Sequence, residues 1–230
     1  MSFIMPGRRT TTNLIQASGE LWDDEEQEAP LRFAILAGGP ATEPRVAAVI
    51  RTVLRLAPDD VSLEPVSVEE LPPFDLVAPD GVIAAPVERF QDDLATADGF
   101  VLIAPADDEI AIETIVRALR WAATPAGEDA LTGLPVVWLG IGGDGEMAEA
   151  TRSRIAAAVE AGGGTLLDPS GLLTAPLAGD WSGRLGPGAE LSHLATRQAI
   201  GQVLIRLREV AFTAAPAAAV ADADEDPAGA

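Results

Sequence analysis

Short apolar runs alternate with segments of helical periodicity along most of the chain. Five runs have the composition of strands buried on both faces, and they cover residues 32–37, 61–66, 99–104, 134–139 and 165–167. A segment with apolar residues at helical spacing follows each of the first four runs. A long last helix is predicted with one apolar face, made of Leu191, Leu194, Ile200, Val203, Leu204, Leu207 and Val210.

This alternation predicts an α/β domain with a five-stranded parallel sheet. Right-handed crossovers place helices on both faces of such a sheet, which gives a three-layer αβα architecture. The strand order commonly found for five doubly wound strands is 2-1-3-4-5, and ligands then bind beyond the carboxyl ends of strands one and three. In this sequence those ends are residues 38–45 and 105–113.

Both ends of the chain lack this pattern. We predict a disordered acidic extension at residues 1–31, the α/β domain at residues 32–212, and a disordered Ala/Pro/Asp-rich tail at residues 213–230. Within the extension, Leu21 and Trp22 precede four consecutive acidic residues. Such a segment either docks on a basic, apolar groove of a protein partner, through residues 20–28, or is a solvated tail.

Composition excludes several kinds of chemistry. The chain has no cysteine, a single histidine (His193), and arginine as its only basic residue besides histidine, so thiolate, multi-histidine metal and Schiff-base lysine sites are absent. Residues 32–212 hold 26 acids against 13 arginines, part of a net charge of −21, which disfavours nucleic acid and anionic membrane as partners. Without a secretory signal or a long apolar run, we expect a cytoplasmic protein.

The loop after the first strand is a candidate anion site. Its candidate residues are Gly38, Gly39, Thr42 and Arg45. A glycine turn that leads into a helix N-terminus offers free N–H groups and the positive end of the helix dipole. Glu43 places a carboxylate in the same loop, and Pro40 and Pro44 remove two N–H donors. The alternative is a tight turn whose glycines serve packing alone.

The loop after the third strand contains three consecutive acids. Its sequence is Pro105, Ala106, Asp107, Asp108 and Glu109. One interpretation is helix N-capping by one of the two aspartates. The other is a divalent-cation site of carboxylate oxygens, which lacks further ligands because the first strand ends in glycines.

The loop after the fourth strand, residues 140–145, contains four glycines. Gly142 and Gly143 allow either the close approach of a flat ring or simple flexibility. No Lys-Ser or Lys-Thr follows, so this loop is not a P-loop. His193 lies between two leucines of the last helix, and we expect it to be a surface or partly buried residue rather than a catalytic one.

Several segments together resemble the NADPH-dependent FMN reductase family over about 140 residues. They are RFAILAGGPATEPRV, LPPFD, VERFQDDLATADGFVLIAPADDE, IVRALRWA, LTGLPVVWLGIGGDGE and AGGGTLLDP. The resemblance implies a flavodoxin-like fold with FMN at the ends of strands one and three. It also implies hydride transfer from NAD(P)H to the flavin, and a homo-oligomer, either a dimer or a tetramer. It assigns no catalytic side chain.

Position by position, the resemblance implies the cofactor-binding set Gly38, Gly39, Thr42, Arg45, Pro105, Ala106, Asp107, Asp108, Gly142 and Gly143. In the first loop, Gly38 keeps the family's glycine and Gly39 stands where the family has a serine. In the second loop, Asp107 and Asp108 replace a tyrosine and an asparagine. Scaffold positions therefore match better than polar ones, and two hypotheses stay open: an FMN-dependent oxidoreductase, or a flavin-free descendant that acts as a protein-binding or assembly module.

Overall fold

The structure of the protein is a computed structural model that describes residues 29–40, 43–74, 84–124, 130–167 and 177–221, with side chains described as far as residue 214. Its helices and strands belong to the compact unit Leu31–Ala230. Thr42 and the segment 20–28 lie outside the described residues. The predicted domain bounds stay a prediction.

The described elements alternate as the sequence predicts. In chain order they are β1 (Leu31–Ala37), α1 (Pro44–Leu56), β2 (Val61–Pro65), α2 (Ala85–Ala95), β3 (Gly99–Pro105), α3 (Glu109–Ala122), β4 (Pro135–Ile141), α4 (Gly145–Ala161), β5 (Thr165–Leu166) and α5 (Leu194–Ala221). The strands form one sheet with the order β2-β1-β3-β4-β5, and each neighbouring pair is parallel. The predicted fold class and strand order are confirmed.

The strands are apolar on both faces because a helical layer covers each face. Successive residues of β1 point to opposite layers: Phe33 and Ile35 pack with α1 and α5, whereas Ala34 and Leu36 pack with α2, α3 and α4. Every residue of β3, the central strand, is buried. This two-sided burial explains why the strands appear in the sequence as continuous apolar runs rather than as an alternating pattern.

The last helix differs from the prediction at both ends. Leu194 is 64% exposed, because it shares with Ile205 and Phe212 the face of α5 that points to solvent. Leu191 is buried but precedes the helix, in an isolated bridge with Leu185. The helix continues to Ala221, beyond the predicted end of the domain at residue 212. None of the described helices is long and apolar enough to cross a membrane.

Candidate functional site

Three loops meet at the carboxyl edge of the sheet, at the strand ends that the sequence points to. Gly38, at the end of β1, donates its N–H to the Ile103 carbonyl at 2.8 Å. A methyl group at this position would lie 2.5 Å from the carbonyl oxygen of Ala111. Gly38 therefore permits the close packing of β1 against α3. Gly39 lies beside the same helix, and a methyl group added to it would lie 3.3 Å from the Ala111 Cβ.

Glu43 occupies the N-terminus of α1, where the sequence suggested an anion site. It is the N-cap residue, and its Oε2 accepts a hydrogen bond from the Val46 N–H at 2.7 Å. The next residue, Pro44, is the first of the helix and has no N–H to offer. The chain's own carboxylate thus fills the position that the helix dipole favours for an anion.

Arg45 joins the first loop to the second. Its Nε donates to Glu43 Oε1 at 2.8 Å, and its Nη1 lies 3.1 Å from Asp107 Oδ2. The three side chains are partly exposed, at 27% for Arg45, 23% for Glu43 and 41% for Asp107. Burial opposes the charge of Arg45, but the hydrogen bonds with both carboxylates outweigh this effect, so the pKa of Arg45 is raised. We refer to Glu43, Arg45 and Asp107 as the Arg45 cluster.

The other two acids of the second loop also have partners within the protein. Asp108 is the N-cap of α3, and its Oδ1 accepts from the N–H groups of Ile110 and Ala111 at 3.0 and 3.1 Å. Glu109 pairs with Arg154 of α4 at 2.8 Å. The capping interpretation is confirmed for Asp108. Among the described residues, no group of three or more His, Cys, Asp or Glu is arranged to hold a metal ion.

The third loop lies directly against the Arg45 cluster. Gly142 and Gly143 have φ angles of 73° and 75°, which glycine adopts without strain. A methyl group at Gly142 would lie 2.9 Å from Arg45 Nη1, so no side chain fits there while the guanidinium stays in place. The loop is fixed by two backbone hydrogen bonds, from Gly142 N–H to Leu177 O at 2.8 Å and from Gly179 N–H to Gly143 O at 2.7 Å.

The remaining predicted positions form the floor beneath these loops. Pro105 ends β3 and is buried. Ala106 is 5% exposed and donates its N–H to the Ile141 carbonyl at 2.8 Å. The hydroxyl of Thr151, a buried residue of α4 that no sequence pattern singles out, donates to the Ala106 carbonyl at 3.3 Å. The structure therefore brings the described candidates together, and their role in cofactor binding stays a prediction.

His193 is a surface residue outside the three loops. Its side chain is exposed, just before α5, and its Nδ1 lies 2.8 Å from the hydroxyl oxygen of Thr196. This geometry agrees with the expectation of a surface histidine.

Comparison with known proteins places this architecture among solved structures. No family model and no curated relative matches the chain. The flavoenzyme NAD(P)H:(acceptor) oxidoreductase FerB from Paracoccus denitrificans matches with a TM-score of 0.64 at 15% identity, over 80% of this chain and 98% of that one. The chain therefore shares its fold with this flavoenzyme.

Two further structures support the same fold assignment. An oxidoreductase from Corynebacterium diphtheriae matches with a TM-score of 0.53 at 16% identity, over 80% of this chain and 98% of that one. The apo form of the NADH:FMN oxidoreductase EMOB matches with a TM-score of 0.51 at 15% identity, over 78% of this chain and 89% of that one. The flavodoxin-like architecture implied by the sequence resemblance is therefore confirmed at the level of fold.

Proposed function

We propose that the chain is an NAD(P)H-dependent oxidoreductase of the FMN reductase type, with FMN bound across the ends of β1, β3 and β4. The observation that carries this proposal is the position of Arg45, whose guanidinium lies where all three loops meet. A cation at the switch point of a doubly wound sheet suits a phosphate-bearing ligand. The solved structures that share this fold include two named as flavin or FMN oxidoreductases.

The glycine-lined part of the site fits a planar ring. Gly142 and Gly143 carry no side chain, so a flat group can approach their backbone once the Arg45 guanidinium, which lies against Gly142, has turned away. The loop is already held by its bonds to Leu177 and Gly179, which limits the ordering cost of binding. When bound, a flavin supplies the hydride acceptor, while the protein supplies position and electrostatics.

The phosphate group of FMN does not fit the first loop as its residues are arranged in the structure. Glu43 already accepts the Val46 N–H, and Pro40 and Pro44 have no N–H. Two carboxylates also surround Arg45, and a phosphate beside them meets electrostatic repulsion. Flavin binding therefore requires an exchange in which the phosphate replaces a carboxylate on Arg45. Arginine favours such an exchange because its guanidinium binds phosphate in a bidentate manner.

The same cluster favours a second candidate function. The charge of Arg45 is neutralised by the protein's own carboxylates, so this site needs no ligand to balance that charge. A flavin-free descendant that works as a protein-binding or assembly module would keep this cluster as a purely structural element.

The deciding experiment is anaerobic flavin reduction. The purified chain is incubated with FMN, desalted and examined by absorbance spectroscopy before and after NADH or NADPH is added. The proposal expects flavin bands that stay with the protein and bleach with one of the two nucleotides. Flavin that separates completely from the protein, together with an unchanged melting temperature in excess FMN, would favour the flavin-free module.

Paired variants on α1 locate the site. Arg45→Met removes the guanidinium at the loops, whereas Arg55→Met removes an exposed one in the last turn of the same helix. We expect the first change to weaken FMN binding by about tenfold, the value of one charged hydrogen bond. The second should leave it unchanged. Equal effects from both would place the phosphate elsewhere.

A further inference from the structure

A second recess lies on the other side of β1, at the carboxyl ends of β1 and β2. It has a volume of about 570 Å³, within the range of about 300 to 1,000 Å³ of typical small-molecule sites. Its walls come from β1, α1, α3 and the chain after β2. Most of the lining is apolar, including Ile35, Ala37, Ile50, Leu54, Val66 and Val68.

The wall formed by residues 66–74 is anchored, so the cavity is preformed. The Val66 N–H donates to the Ile35 carbonyl at 2.9 Å, which continues the sheet pairing past the end of β2. Further along, the indole N–H of Trp121 donates to the Pro72 carbonyl at 2.9 Å. Phe74 packs edge-on against the same indole, with ring centroids 5.0 Å apart. These contacts fix the segment on α3.

Arg117 of α3 is the cation in this apolar lining. Its Nε is screened from water and has no hydrogen-bond partner, and its side chain forms no ion pair with any described residue. A buried donor without a partner destabilises the folded protein, and the more so when the group is charged. Such a group calls for an acceptor, and the lining offers few.

The other polar residues of the lining do not supply this acceptor. The Thr114 hydroxyl donates to the Ile110 carbonyl at 2.9 Å. Glu69 is exposed and makes no ion pair with Arg117 in the described part of the chain, and Ser67 forms no hydrogen bond with it there either. The guanidinium is therefore half-buried beside apolar walls, without an ion pair to any described residue.

Leu54 adds a second reason for a ligand. It lines the cavity from α1 and is 50% exposed, although it continues the apolar face of that helix. An apolar body in the cavity would cover it, which is favourable because apolar surface is removed from water. The cavity thus combines apolar surface that a ligand would bury with a cation that a ligand would neutralise.

We propose that this cavity binds a small organic anion with an aliphatic body, such as a medium-chain carboxylate, whose carboxylate pairs with Arg117 while its chain packs on Leu54, Ile50 and Val68. The site is separate from the Arg45 cluster, although both regions include part of the turn after β1. It does not depend on flavin binding.

The test compares octanoate with octanol, which has the same chain and no charge, by calorimetric titration of the flavin-free protein. Octanoate should bind about tenfold more tightly than octanol, because a carboxylate gains a charged pair with Arg117. Equal binding of the two, or no binding of octanoate, would overturn the proposal. Equal binding would indicate that the cavity simply takes up any apolar molecule.

Variants connect the anion preference to the cavity. Arg117→Met should abolish the preference for octanoate, while Arg120→Met, on the exposed side of α3 and paired with Glu113 at 3.9 Å, should keep it. Should Arg117→Met fail to fold, Leu54→Asp tests whether octanoate binds in this cavity, from an exposed position. It should weaken octanoate binding by about tenfold, whereas Leu194→Asp, on α5, should not. Unchanged octanoate binding in Leu54→Asp would contradict the site.

Discussion

Two arginines at the same edge of the sheet have opposite surroundings. Arg45 lies among the three loops of the switch point and is bound by two carboxylates, from Glu43 and Asp107. Arg117 lies on the β2 side, in an apolar cavity, and has no carboxylate partner among the described residues. A ligand at the first arginine must displace a partner that is already there. A ligand at the second supplies one that is missing.

This difference separates the expected behaviour of the two sites. At Arg45 the phosphate must replace a carboxylate that is already bound, so affinity there depends on how well phosphate outcompetes carboxylate. At Arg117 the ligand gains both the pairing and the burial of apolar surface. Flavin binding that is limited by competition with carboxylates, together with measurable binding of an aliphatic anion, would follow from the same structure.

The change with the largest expected effect should break both regions at once. Gly38→Ala places a methyl group 2.5 Å from the Ala111 carbonyl and 3.0 Å from Ile115, so α3 must shift, and α3 carries Arg117. We expect a loss of about 1–3 kcal/mol in the free energy of unfolding, measured by urea denaturation. Gly145→Ala is the control, because nothing lies within 4 Å of its added methyl. Similar losses in both variants would show that Gly38 is not a packing position.

The next change should separate the two regions. Trp121→Phe removes the bond from the indole N–H to Pro72 O, which holds the cavity wall. We expect a loss of about 1 kcal/mol in stability and weaker octanoate binding. Trp181→Phe removes an equivalent bond, to Leu177 O at 2.9 Å, on the opposite face of the sheet. It should cost similar stability and leave octanoate binding intact, and reduced binding in both variants would argue against the anchoring role.

A smaller effect should sharpen the account of the Arg45 cluster. Glu43→Gln keeps a side-chain oxygen for the Val46 N–H but removes one negative charge from Arg45. We expect a stability change below about 1 kcal/mol and FMN binding that is tighter by a few-fold. Glu146→Gln, in the first turn of α4, is the matched control and should leave FMN binding as it is. Weaker binding in Glu43→Gln would mean that Glu43 helps to hold the ligand.

The smallest effect concerns the exposed pair of Arg32 and Glu64, which joins β1 to β2. The hydrogen bond with Arg32 lowers the pKa of the Glu64 carboxyl in the folded state. Its stabilisation is therefore complete above the ordinary glutamate pKa of about 4.3 and is lost as the pH falls through the lower folded value. Because the pair is exposed, we expect less than about 1 kcal/mol. Arg32→Met should abolish this part of the acid dependence in denaturation curves measured across that range.

The sequence was sufficient to predict the sheet, but it was not sufficient to predict the ion pairs at the carboxyl edge of that sheet. Continuous apolar runs such as residues 99–104 can only be buried between two layers, so the strand order followed from topology rules. Leu194 was placed wrongly because helical spacing in a long segment does not reveal which stripe faces the sheet. The periodicity of apolar residues carries no information about which residues contact a single surface residue.

The candidate site shows the same limit. The opposition between Glu43 and a phosphate was visible from residue order alone, because the two share one loop. The ion pair of Arg45 with Asp107, across 62 positions, was not, since it depends on how the first and third loops approach each other. Arg117 gave no signal at all, because a lone arginine on a helix is normally a solvated one.

The most direct test of the proposed function is a fluorescence titration of FMN and of riboflavin, which lacks the phosphate, with the purified chain. If Arg45 exchanges a carboxylate for the phosphate, the fluorescence of FMN should be quenched on binding. The affinity for FMN should be about tenfold higher than that for riboflavin. Equal affinities, or no quenching of either flavin, would contradict the account and leave the Arg45 cluster as a structural element of a flavin-free domain.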